Sequence, residues 1–339
     1  MSLLDFVEHA LLQGAVLADT VHTRQNAVVL HFGQPNEELT AAETSAVVCP
    51  VFDLIRIRAT GKDRAKFLHN FCTNNIVDLP SGHLREAFFT DVKARVIAHG
   101  WVFATADCHE IWMLPGDEQA LLNHLNRYII TEDVTIESVP NHTTIAVIGP
   151  LSQEVLEAAG FEAPAEDQVT RDSTDCLVAA TVWANLPTVF VSVTTSQAVK
   201  TWQTVVASGA TASGRAVFDH IRILERFPRI GRDISGEHMA PEVGRNGTAI
   251  SYTKGCYLGQ EPIARLDALG HVNRQLYGGT FMPSTDAATT DPVNITSVSA
   301  VGFEQRPALA VLNVKAAGLS SSHPAGLPDG TAGRFTLSR

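Results

Sequence analysis

Long apolar runs are missing from this chain of 339 residues: the best, Ala46 to Phe52, falls far short of what a membrane helix needs, about 20 residues. The opening Met1-Ser2-Leu3-Leu4-Asp5 has no basic cluster and no apolar stretch behind it, so no secretory leader and no membrane partner is expected, and a cytoplasmic address is. Cysteine is scarce and unpaired. Cys49, Cys72, Cys108, Cys176 and Cys256 form an odd set without Cys-x-x-Cys spacing, which argues against a disulfide framework and against a dedicated zinc or iron–sulfur ligand set. His69 and Cys72 stand at helical ligand spacing, but no second pair lies near them in sequence, so no metal site is expected. A basic excess is absent too. The formal net charge is −11, which disfavours nonspecific nucleic-acid binding, because such binding needs a cationic surface to displace counterions. Neither a Gly-x-Gly-x-x-Gly turn nor a phosphate loop occurs, so dinucleotide and nucleoside-triphosphate folds lose support.

What remains is a chain that is 45% apolar and 18% charged, the make-up of a globular protein with ample core and two or three domains. Its charge is uneven. Residues 215 to 274 hold nine Lys/Arg against seven Asp/Glu, while residues 1 to 54 hold seven carboxylates against Arg24 alone. A locally cationic segment in an acidic chain suits a small anionic ligand. Alternation predicts strands at 51–59, 86–90, 96–105, 109–114, 143–148, 177–183, 189–194, 297–303 and 308–314, and helices after Thr60-Gly61 and at 119–128, 152–159 and 196–207. Runs of strands with occasional helices predict an α+β fold with antiparallel sheets. The Gly-, Ser- and Thr-rich residues 276–339 read as a small all-β domain, with a loop over 318–333.

Chemistry is densest at Lys254-Gly255-Cys256-Tyr257-Leu258-Gly259-Gln260-Glu261-Pro262-Ile263-Ala264-Arg265. Gly255 and Gly259 suit positive φ or a close ligand approach. A thiol beside Lys254 is expected to gain thiolate character, which nucleophilic or redox chemistry requires. Buried structural thiols and ordinary glycine turns are the bland reading of the same residue types.

The order of these residues resembles the signature of the YgfZ family, folate-binding relatives of the glycine-cleavage aminomethyltransferase. Arg222 through Gly231, Pro241-Glu242-Val243-Gly244, and Thr60 through Leu68 with Thr73-Asn74-Asn75 are similar to further family segments, so the likeness spans roughly residues 50 to 275. It implies a GcvT-like three-domain architecture around a central opening. Residues 1–47 with 138–220 would form a first α+β folate-binding domain, 48–137 with 221–270 a second, interleaved one, and 271–339 a C-terminal β-barrel. It also implies tetrahydrofolate or a derivative as cofactor, with Arg222, Glu225, Tyr257, Gln260, Glu261, Arg265, Asn74 and His99 as binding residues and Cys256 with Lys254 as the reactive pair.

Two departures matter. The transferase carries acidic residues where this chain has Ala98 and His99, and a Glu where this chain has Leu224, with Glu225 one position late. The first reading is therefore a folate-binding accessory protein that supports assembly or repair of iron–sulfur clusters, its partners being client or assembly proteins. The alternative is a folate-dependent one-carbon transferase, which the missing carboxylates disfavour. A third, a thiol-redox or scaffold protein without folate, is disfavoured by the intact Cys256 motif.

Overall fold

A computed structural model describes residues 3–18, 28–270, 272–284, 293–301, 305–319 and 321–338. The chain divides into two compact units. Unit 1 takes residues 1–54, 140–225 and 299–303; unit 2 takes 55–139, 226–298 and 304–339.

In unit 1 the apolar positions of Leu177–Trp183, Leu186–Thr194 and His142–Ile148 build the middle of a six-stranded sheet. Its order is Val169–Arg171, Leu177–Trp183, Leu186–Thr194, His142–Ile148, Val47–Pro50 and Thr211–Ala212, antiparallel except for the last pair. Ala184 and Asn185 join two of these strands with both φ angles positive, the left-handed pair that a two-residue hairpin needs. Helices Leu3–Leu12 and Ala198–Ala207 supply Phe6 and Trp202 to the core, their rings meeting edge to face at 5.2 Å.

Unit 2 holds an antiparallel sheet in the order His83–Thr90, Val96–Ala104, His109–Met113, Ile55–Thr60, Thr135–Ser138. Helices Arg64–Phe71 and Glu118–Asn126 place Phe67, Leu68, Leu121 and Leu125 among its inward residues, and Asp117 caps the second by accepting from Ala120 N at 2.9 Å. The C-terminal strands close a five-stranded barrel around Phe281, Ile295, Ala310 and Phe335. The fold is thus α+β with antiparallel sheets and a C-terminal barrel, as the sequence predicts.

Three local expectations change. The strand expected over 51–59 begins only at Ile55 and runs to Thr60; a separate strand, Val47–Pro50, precedes it, and the chain passes from unit 1 to unit 2 between them. The strand over 297–303 lies earlier, at Val293–Val298; 302 and 303 are outside the described residues. The loop over 318–333 contains the strand Ser322–Gly326 and the start of Ala332–Leu337, because barrel closure gives Pro- and Gly-bearing segments their ladder partners.

Candidate functional site

The segment 254–259 is anchored from three sides. Lys254 gathers carbonyls from the end of helix Arg64–Phe71 and from the chain just beyond it: its Nζ donates to the oxygens of His69 at 2.6 Å, Cys72 at 2.7 Å and Asn74 at 2.7 Å. The same ammonium stands 4.8 Å from the centre of the Tyr257 ring. Leu258 N donates to Asn70 O, and Thr90 Oγ1 to Leu258 O. Gly259 takes φ +84°, and a Cβ there would stand 2.6 Å from Asp91 O, so this glycine is required twice over. Gly255 is different. It has no positive φ, and a Cβ would meet only His69 Nε2 at 3.9 Å, so the expected pair of special glycines reduces to one.

The Thr73-Asn74-Asn75 loop joins this assembly. Thr73 Oγ1 donates to Ala249 O at 2.6 Å and accepts from Phe88 N, while Asn74 Nδ2 donates to Glu86 O and Thr248 O. Asn74 is therefore a tie between strand and loop, with Nδ2 occupied by protein carbonyls. His69 Nδ1 accepts from Ile76 N and Val77 N, and Cys72 Sγ donates to Asn74 O, so this spaced pair holds the loop. Among the described residues no group of three His, Cys, Asp or Glu could hold a metal ion.

The clamp leaves Cys256 exposed, whereas the other four cysteines are buried. The ammonium of Lys254 gives its three protons to backbone carbonyls, and burial pulls its pKa below the ordinary lysine value, so its hydrogen-bond partners are these oxygens and not the neighbouring Cys256. Burial and the nearby Tyr252 push Tyr257 up, holding its phenol neutral. Gln260 opens helix Gln260–Leu269, with Glu261 and Arg265 exposed one turn apart.

A second cluster lies on the sheet of unit 2. Glu86 and His99 stand on neighbouring strands, with His99 Nε2 2.7 Å from Glu86 Oε1. Arg245 grips the same carboxylate through both oxygens, Nη2 to Oε2 at 2.6 Å and Nε to Oε1. Burial alone would raise Glu86, but His99 and the Arg245 guanidinium hold it down at about 2. Burial lowers the His99 pKa, against the hydrogen bond and the charge of Glu86, which raise it. An ionised carboxylate only accepts, so Nε2 carries a proton, and in the neutral ring Nδ1 carries the lone pair. That Nδ1 is buried without a partner. It lies in an aromatic setting, the His99 ring 4.6 Å from Phe88 and 4.5 Å from Phe227, which in turn stacks on Trp101 at 4.7 Å.

Glu86 and Arg245 were not among the sequence candidates. The available signal was a lone carboxylate in the strand Glu86-Ala87-Phe88-Phe89, which only a buried partner would justify.

Arg222 and Glu225 belong to unit 1, at the end of helix Arg215–Leu224. Arg222 is 0% exposed and its Nε donates to Asp219 Oδ1 at 2.9 Å, so it is a buried paired cation in place of the expected ligand-facing one. Glu225 Oε2 accepts from Ala184 N at 3.0 Å, steadying the hairpin turn of the sheet, and Leu224 is exposed.

The GCVT N-terminal domain family matches residues 13–252 of the chain. A chloroplastic protein of Arabidopsis thaliana, named as a candidate transferase, is 29% identical over 280 residues, which cover 80% of this chain and 64% of that protein. The tRNA-modifying protein YgfZ of Yersinia enterocolitica is 24% identical over 241 residues, covering 70% of this chain and 72% of that protein. Among solved structures, the glycine cleavage system aminomethyltransferase T of Bartonella henselae superposes with a TM-score of 0.81 at 15% identity, over 98% of this chain and 95% of that one, a likeness of fold. The chain therefore belongs to the GCVT N-terminal domain family, with the GcvT-like fold and similarity to the YgfZ proteins.

Proposed function

We propose that the protein binds tetrahydrofolate or a derivative and uses Cys256 to support assembly or repair of iron–sulfur clusters in client enzymes. The observation that carries this reading is the exposed thiol of Cys256 on a loop fixed by Lys254, Leu258 and Gly259. The folate half of the reading is supported by His99, whose buried Nδ1 has no hydrogen-bond partner and is an acceptor suited to a pterin N–H. Bound tetrahydrofolate supplies a reduced pterin able to carry a one-carbon unit. The chain's own part is to accept a hydrogen bond at His99 Nδ1, to keep His99 in one tautomer through Glu86, and to hold Cys256 in reach of a protein partner.

One-carbon transfer is the weaker alternative. A carboxylate that stabilises a cationic transfer intermediate must have its charge available, and Glu86, the carboxylate beside His99, is already paired with Arg245 through both oxygens. The bacterial relatives are named tRNA-modifying; with a net charge of −11 on this chain, the corresponding effect is proposed to pass through a client enzyme, without direct RNA contact.

The test is a calorimetric titration of the full chain with tetrahydrofolate, paired with complementation of a deletion strain by Cys256→Ser. Saturable binding kept by Cys256→Ser, with loss of client iron–sulfur enzyme activity, is the expected result. Absence of binding removes folate from the reading, and full complementation removes the thiol.

A further inference from the structure

Unit 2 contains a pocket of about 190 Å³ at the C-terminal end of helix Gln260–Leu269, away from the Cys256 loop at the helix start. Its lining includes Leu266, Asp267 and Gly270 from the helix end, with Asn246 and Tyr252.

The polar side chains of the lining are Asp267, Asn246, Tyr252 and Gln275, beside the apolar Pro241, Leu266 and Val272. The last turn of the helix contains no basic residue, and Gly270 ends it in the left-handed conformation at φ +70°, so within the helix nothing opposes the negative end of its dipole. Asp267 makes no ion pair among the described residues, and after burial its charge is the second cause that raises the Tyr252 pKa, which places the carboxylate near that phenol. Asn246 Oδ1 is buried with no donor to satisfy it. Tyr252 is 42% exposed and offers a ring face, on which a cation is attracted by the π quadrupole. None of the described lining residues is Lys or Arg. A buried acceptor without a donor, an unpaired carboxylate, an unopposed helix end and an aromatic face all favour a positive guest. Among the described lining residues an anion would meet no cationic side chain.

We propose that this pocket binds a small organic cation bearing a primary ammonium group, whose N–H donors are shared between Asp267, the last-turn carbonyls and Asn246 Oδ1. At roughly 30 Å³ per water the space corresponds to about six waters, which limits the guest to a short alkylammonium. The site is independent of the folate reading, because no residue of the Cys256 or His99 clusters contributes to it.

The test titrates the full chain with n-butylammonium chloride by calorimetry and by amide chemical shifts, against n-butanol, sodium butyrate and equal sodium chloride. Saturable binding of butylammonium alone is expected, with shifts at residues 246, 252 and 266–270. Asp267→Asn, nearly isosteric and on the surface, should weaken it at least tenfold, and Tyr252→Leu less so, while Cys256→Ser leaves it unchanged. An equal response to butanol would show a merely apolar recess. That result, an effect matched by sodium chloride, undiminished binding in Asp267→Asn, or no saturable binding at all each overturns the proposal.

Discussion

Lys254 and Arg245 are both buried cations of unit 2, yet the first is solvated by three neutral carbonyls and the second by a carboxylate. Carbonyls leave the net charge of the lysine uncancelled, so burial lowers its pKa; the Arg245–Glu86 pair cancels its charge and lowers the carboxylate's instead. The difference separates two jobs. Lys254 ties chain segments together, and removing it frees carbonyls that can turn to water. Arg245 fixes a charge balance on a sheet, and removing its partner leaves an ion stranded.

That contrast predicts the largest effect at Glu86. Glu86→Ala should destabilise the protein by about 3–5 kcal/mol in urea unfolding, because Arg245 stays buried and uncompensated. A loss under about 1 kcal/mol would mean that the guanidinium swings to water, and the contrast with Lys254 would fail. Lys254→Met comes next, at about 2–4 kcal/mol, since three hydrogen bonds from a charged donor disappear while a desolvated charge is also relieved. Gly259→Ala should cost about 2–3 kcal/mol through the φ of +84° and the clash with Asp91 O, and Gly255→Ala much less; equal costs would erase the distinction drawn between these glycines.

The acid limb of the stability curve should resolve the same regions. Burial, then the charge of Arg64, brings His109 to about 4; burial, then Arg127, brings His124 to about 4. Their unfolded forms protonate near 6.5, so the unfolded state binds more protons between these values, and stability is full above pH 6.5 and falls as pH drops toward 4. Glu86, at about 2 when folded against 4.5 by itself, gives a second loss from pH 4.5 downward. Thermal midpoints measured across pH 7 to 3 should show both phases, and Glu86→Gln should remove the lower one. The smallest structural effect belongs to Cys256→Ser: being exposed, it should shift stability by no more than about 0.5 kcal/mol while abolishing client support.

Although the strand Arg274–Pro283 and the helices Leu3–Leu12 and Pro35–Thr44 went unread, the middle strands of both sheets and the helices Arg64–Phe71, Glu118–Asn126, Ser152–Ala158 and Ala198–Ala207 were legible, because their apolar pattern agrees with the tertiary packing. The barrel strand Ser322–Gly326 was not, since Ser-His-Pro-Ala-Gly has turn composition and gains its conformation only from its neighbours in the closed sheet. At the site, the motif's order singles out a loop but not the partners that its side chains take. Lys254 reads as a companion of its sequence neighbour Cys256, whereas its partners are His69, Cys72 and Asn74. Proximity along the chain is a poor guide for a side chain as long and flexible as lysine. Glu86 and Arg245 escaped for the opposite reason: each is unremarked alone, and only strand pairing brings His99 to them.

The Lys254 clamp also dates the site within the life of the chain. Its hydrogen bond to His69 spans 185 residues, and all of residues 140–225 lie between them. A ribosome must deliver nearly the whole of unit 1 before that bond can form, and closing so long a loop makes it a late event in folding. During synthesis the helix Arg64–Phe71 therefore waits with its terminal carbonyls hydrated. The Cys256 loop acquires its shape almost as soon as it is made, against a surface already folded. The exposed Cys256 is thus placed only after more than two hundred residues have emerged, with the strands of the barrel still to follow.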